Sequence, residues 1–123
     1  FLYFQDYFQR PNPFRPDIAI DISTVFTRKI HALAAHESQV YEWLPWIGGY
    51  ANQVPTDPSQ RAAWLAQRES EPITPAVREA LVRWYGKDQG ARASHAEAFE
   101  ICEYGARPDE AEIRRLFPML KLK

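Results

Sequence analysis

Asp17-Ile-Ala-Ile-Asp-Ile22, entered from Pro16 and left through Ser23, is the stretch whose reading decides the fold. Ile18, Ile20 and Ile22 fall on one side of an extended chain, while Asp17, Ala19 and Asp21 fall on the other. That period of two is the signature of a β-strand. Upstream, Pro11, Pro13 and Pro16 fix an extended loop over residues 9–16, because each proline ring locks φ and removes a donor. Before the loop, Leu2 to Gln5 reads as a short strand. Downstream, Asp21 and Ser23 are candidate caps for a helix running from about Ser23 toward Val40. Phe26, Ile30, Leu33 and Val40 lie on one arc of that helix. Glu37 shares the arc, so either the helix ends there or a carboxylate points inward and needs a partner.

The remaining segments carry clear punctuation. Tyr41 to Tyr50 is aromatic, with Trp43, Pro45 and Trp46 ahead of Gly48-Gly49, and reads as a packed loop or short helix. Asp57-Pro58 and Thr74-Pro75 each open a helix with a capping side chain and a proline at the first position. Gln60 would complete a capping box at the first of these. Val77, Leu81 and Trp84 form the buried stripe of the second, and Gly86 can stop it. Ala96 to Tyr104 leans toward an extended segment. Pro108-Asp-Glu110 begins a last helix with acids in its first turn, where the macrodipole favours them. The expectation is an α/β chain of few strands and about four helices, a single segment over residues 1–123. So small a sheet leaves edges and a face uncovered, and the domain is expected to be incomplete alone.

Composition narrows the function. With 15 Lys and Arg against 16 Asp and Glu, the net charge is −1. No basic face follows from that balance, and nucleic acid is not an expected partner. No apolar run approaches the roughly 20 residues of a membrane span. Cys102 is the sole cysteine, so no internal disulfide can form, and a reducing, cytoplasmic setting is expected. His31 and His36 are five apart, roughly 140° around a helix, and do not share a face. No metal-ligand spacing, phosphate loop or nucleophile elbow is present in the chain.

Two polar clusters remain. His36, Ser38 and Gln39 gather at an expected helix end, where a histidine can bond free carbonyls as a C-terminal cap. Arg92, Ser94, His95 and Glu97 follow a Gly/Ala-rich turn at Gly90 that permits close approach to a ligand or to another element. The four tryptophans offer a sugar-stacking surface as one reading and core packing as the favoured one. Cys102 reads as an inert core thiol.

The Asp17-to-Ser23 strand, then Lys29, His36-x-Ser38-Gln39 and Gly90…Ala96-Glu97-Ala98-Phe99…Glu103-Tyr104-Gly105, together resemble the C-terminal part of the LmbE-like (PIG-L-type) family of zinc-dependent N-acetylglucosaminyl de-N-acetylases. The resemblance covers most of the chain and keeps the motifs in order. It implies a Rossmann-like αβα layered domain that hydrolyses an N-acyl group of an amino-sugar conjugate. In that family zinc is held by a His-Pro-Asp-Asp segment and a later His, a carboxylate serves as base, and a His steadies the oxyanion. None of these residues has a counterpart here, so the catalytic residues and the zinc are expected in a preceding N-terminal half. Gln39 and Glu97 match family positions near the cleft. His95 stands where many members carry a tyrosine associated with a neighbouring subunit's cleft. With His36 and Arg92 they form the expected cleft rim. The implied partners are the N-terminal half, further copies of the chain, and an N-acetylated sugar conjugate. A non-catalytic assembly module and a sugar-binding module using exposed tryptophans are the alternative readings.

Overall fold

The structure is a computed structural model and describes residues 1–120. It is mixed α/β. In chain order come β1 (Leu2–Phe4), β2 (Ile18–Asp21), α1 (Phe26–Ala34), a π-helical turn (Ser38–Trp43), α2 (Leu44–Ile47), α3 (Pro58–Glu69), α4 (Pro75–Tyr85), α5 (Lys87–Arg92), β3 (Ala96–Ile101) and α6 (Glu110–Leu116), with short 3₁₀ turns at Ala51–Gln53 and Pro118–Leu120. Six α-helices therefore occur among the described residues, where about four were expected. Two compact units are formed, residues 1–23 with 72 onward and residues 24–71. None of the helices is long and apolar enough to cross a membrane.

The first unit is built on a three-stranded sheet in the order β1-β3-β2, and both pairings are antiparallel. The alternation predicted for β2 is present, but both of its faces are covered. Ile18, Ala19 and Ile20 are all buried. Ala19 stands opposite Ala98 of β3. These small side chains, with Ala80 and Ala93, let α4 lie close against the sheet through Val77 and Leu81. Each large aliphatic side chain buried there is worth about 1.5–3 kcal/mol. On the other side Phe99 of β3 meets Phe4 edge-on at 5.9 Å and Phe117 at 5.8 Å.

The expected caps at Asp57 and Thr74 are in place, Asp109 adds a third, and Gln60 gives its backbone N–H to the Asp57 carbonyl at 3.1 Å instead of completing a capping box with its side chain. Asp57 accepts the Ser59 N–H at 2.9 Å, Thr74 accepts that of Val77 at 3.3 Å, and Asp109 accepts that of Glu112 at 2.8 Å. Gly86, at φ +82°, closes α4. The left-handed residue also turns the chain directly into α5, the helix that the stop signal concealed. Gly90 of α5 is buried against the α4 backbone. A Cβ there would lie 2.6 Å from Val82 Cα and N. The close approach allowed by this glycine is thus to another helix. Arg78 secures the arrangement by donating to the carbonyls of Gly90 and Ala93, both at 2.8 Å.

The second unit packs Ile30 of α1, Val40, Tyr41 and Leu65 of α3, with Trp64 and Leu33 half-buried beside them. Arg68 lies 3.6 Å over the Tyr50 ring and 5.3 Å over Trp64. The helix expected from Ser23 to Val40 is shorter than predicted. It ends at Ala34, and a second helical run begins after His36. Glu37 is consequently exposed rather than turned into the core.

Gly90→Ala is expected to destabilise the chain by about 1–3 kcal/mol, the usual cost of overpacking. Denaturant unfolding checks it, and wild-type stability would contradict the close α4–α5 approach.

Candidate functional site

Asp21 and Ser23, read as helix caps, do something else. Helix α1 starts at Phe26 with Val25 at its N-cap and no side-chain cap. The Asp21 carboxylate instead accepts the Ser23 backbone N–H at 3.0 Å and the Ser23 hydroxyl at 2.5 Å. With its proton so committed, Ser23 Oγ turns its lone pairs to the backbone N–H groups of Ser94 at 2.9 Å and His95 at 3.2 Å. The Ile22 N–H reaches the His95 carbonyl at 3.0 Å. Tyr85 Oη accepts the Asp21 N–H at 3.2 Å. One hydroxyl thus joins the end of β2 to the turn that leads into β3.

His95 and Glu97 emerge beside this junction, half-buried. His95 Nδ1 lies 3.1 Å from Ser94 Oγ. Glu97 sits on β3 opposite Ile20 of β2. Arg92 is exposed at the last position of α5. Of the predicted rim residues, the structure therefore brings Arg92, His95 and Glu97 onto one short stretch of the first unit.

His36 and Gln39 belong to the second unit, and the C-terminal cap expected there is made by the His36 backbone, whose N–H donates to the Leu33 carbonyl at 2.9 Å, and not by its side chain. The His36 carbonyl accepts the N–H groups of Gln39 at 2.9 Å and Val40 at 3.0 Å. His36 therefore ends one helix and its carbonyl opens the next helical run. Both side chains are exposed. Gln39 lies in the π-helical turn, a distortion that recurs at functional sites because it re-aims side chains at some cost in stability. Trp43 follows four residues later and Trp46 three after that, the spacings that make neighbours on a helix surface. Trp43 is 49% exposed and Trp46 74%. Packing is thus the correct reading for Trp84, which is buried, and the wrong one for Trp43 and Trp46. Residue type alone could not separate these cases, because an apolar side chain carries no sign of which side of a helix is covered.

Cys102 is buried, with its sulfur 3.2 Å from Tyr3 Oη. Tyr3 also donates to Glu103 at 3.1 Å. Its hydrogen bond to Cys102, aided by desolvation and by Glu103, pushes the phenol well above the usual tyrosine range. Cys102 is thus covered while its partner Tyr3 stays partly exposed. Among the described residues no group of three His, Cys, Asp or Glu side chains is placed to hold a metal ion. Comparison with known proteins finds no matching family model, curated protein or solved structure.

Ser23→Ala leaves two backbone donors without their acceptor. A loss of about 1–3 kcal/mol is expected, the cost of an unsatisfied polar group. Thermal or urea melting reads it, and an unchanged melt would mean that the junction does not support the fold.

Proposed function

We propose that this chain is the C-terminal part of an LmbE-like hydrolase that removes an N-acyl group, most simply acetyl, from an amino-sugar conjugate. On this reading the chain supplies scaffold and cleft rim, with Gln39, His36, Arg92, His95 and Glu97 as orienting groups. The observation that carries it is the Ser23 junction. The strand that opens the first motif and the turn that opens the second are 71 residues apart, yet one hydroxyl ties them, and His95 and Glu97 emerge beside it. Shared anchoring of two motifs is what a site assembled from distant segments requires.

The Rossmann-like part of the reading rests on the family resemblance. Its parallel strands, the zinc and the catalytic carboxylate would come from chain outside these residues. A cytoplasmic location and an assembly of several copies belong to the same reading. A second reading, a sugar-binding module, is favoured by the exposure of Trp43 and Trp46 one and two turns beyond Gln39, because aromatic faces stack on pyranose rings. In that case the bound sugar is recovered with its amide intact.

In the complete protein, Gln39→Ala and Glu97→Ala should each lower turnover per folded molecule on the order of tenfold or more, since misplaced orientation is costly in the transition state. Their melting temperatures should stay near wild type. Turnover measured beside the melting curve distinguishes an orienting role from a structural one. Wild-type turnover in both variants would end the proposed contribution of this segment.

A further inference from the structure

A cleft of about 680 Å³ opens on the first unit, between the proline loop, the ends of β1 and β3, and the loop before α6. Its volume lies within the range of small-molecule sites, about 300–1,000 Å³. One part of its lining is internally satisfied. Arg15 holds Asp17 through Nε at 2.9 Å and Nη2 at 3.1 Å, and its guanidinium reaches Glu100 at 3.7 Å. The Ile101 N–H donates to Asp17 at 2.9 Å.

The other charged groups of the lining are not matched in this way. Among the described residues no hydrogen bond or ion pair engages Arg10 or Arg107. Asp6 accepts the Phe8 backbone N–H at 3.0 Å, and Glu103 accepts the Tyr3 hydroxyl at 3.1 Å. Both donors are neutral, and among the described residues neither carboxylate has a cation within ion-pair distance, although Glu103 also feels the charge of Arg15. One cleft therefore presents two cations and two anions that do not neutralise each other. A simple anion would be drawn to the guanidiniums and repelled by the carboxylates, and a simple cation would meet the reverse. A molecule carrying both signs meets neither penalty. Tyr3, Phe8 and Phe14 add aromatic walls, which also attract an ammonium group.

We infer that this cleft binds a small zwitterion, its oxyanion held by Arg10 and Arg107 and its ammonium by Asp6 and Glu103. The inference does not depend on the hydrolase reading. Two sources share the chemistry, a carboxylate amine and a phosphate amine. The test is titration of the chain by NMR or calorimetry with γ-aminobutyrate and with O-phosphoethanolamine, against inorganic phosphate and ethanolamine as singly functional controls. At least one zwitterion should saturate the site about tenfold more tightly than either control, and which one does identifies the oxyanion. The affinity should fall about tenfold or more in the Arg10→Ala/Arg107→Ala and Asp6→Asn/Glu103→Gln double variants. It should be unchanged in Arg28→Ala, an exposed arginine of the second unit. A melting curve for each variant separates lost binding from lost folding, and Arg10→Lys/Arg107→Lys should retain part of the affinity if the arginine double variant melts early. Absence of saturation by both zwitterions below about 10 mM would overturn the inference. So would either singly functional control binding as tightly as the tighter zwitterion, or wild-type affinity in either double variant.

Discussion

Asp17 is the residue on which the first unit depends. It stands where the proline loop becomes β2, and it uses both ends of its structure. The carboxylate takes Arg15 from the loop and the Ile101 N–H from the end of β3. The carbonyl takes the Trp84 indole N–H at 2.8 Å and the Arg83 guanidinium, both from α4. Loop, sheet and helix thus meet at one amino acid. Burial works to raise the Asp17 pKa. The hydrogen bonds from Arg15 and Ile101, with the charges of Arg15 and Arg83, outweigh it and hold the carboxyl below the usual aspartate range. The stability contributed by this contact is therefore complete above the ordinary aspartate pKa and is lost as pH falls through the depressed one.

From that anchor the chemistry of the site is a matter of what the frame exposes. The β2–β3 pairing ends at the Asp21–Ser23 turn, and the same turn fixes the backbone of Ser94 and His95. Arg78 and the absence of a side chain at Gly90 hold α5 just ahead of it. The segment from Arg92 to Glu97 is therefore supported from both directions while its polar side chains stay at least partly accessible. In the second unit the core of Ile30, Val40, Tyr41 and Leu65 leaves Gln39, Trp43 and Trp46 outside. A rigid backbone carrying accessible hydrogen-bonding and aromatic groups is what a binding surface needs, whether or not chemistry follows.

Much of this was legible in the sequence wherever the signal was local. The alternation at residues 17–22 marked β2, and Asp57 and Thr74 act as the expected caps because their side chains reach donors two or three residues away. The misreadings share a cause. Ser23 has a cap's chemistry, but its partners are at Ser94 and His95, beyond any local window. The helical run after His36 carries Val40 into the same core as Ile30. The apolar period thus passed through the break at Ala35 unchanged. Gly90 signalled close approach without naming the neighbour, which is the backbone of α4. The strand directions were not legible either, because alternation fixes which faces are covered and says nothing of parallel or antiparallel pairing.

The proposed activity breaks one amide bond, and product analysis reads that bond. The complete protein, incubated with an N-acetylglucosamine conjugate, is predicted to release acetate and a free amine in equal amounts and to leave the glycosidic bond intact. Recovery of the conjugate unchanged, or cleavage at the glycosidic bond instead of the amide, would contradict the account.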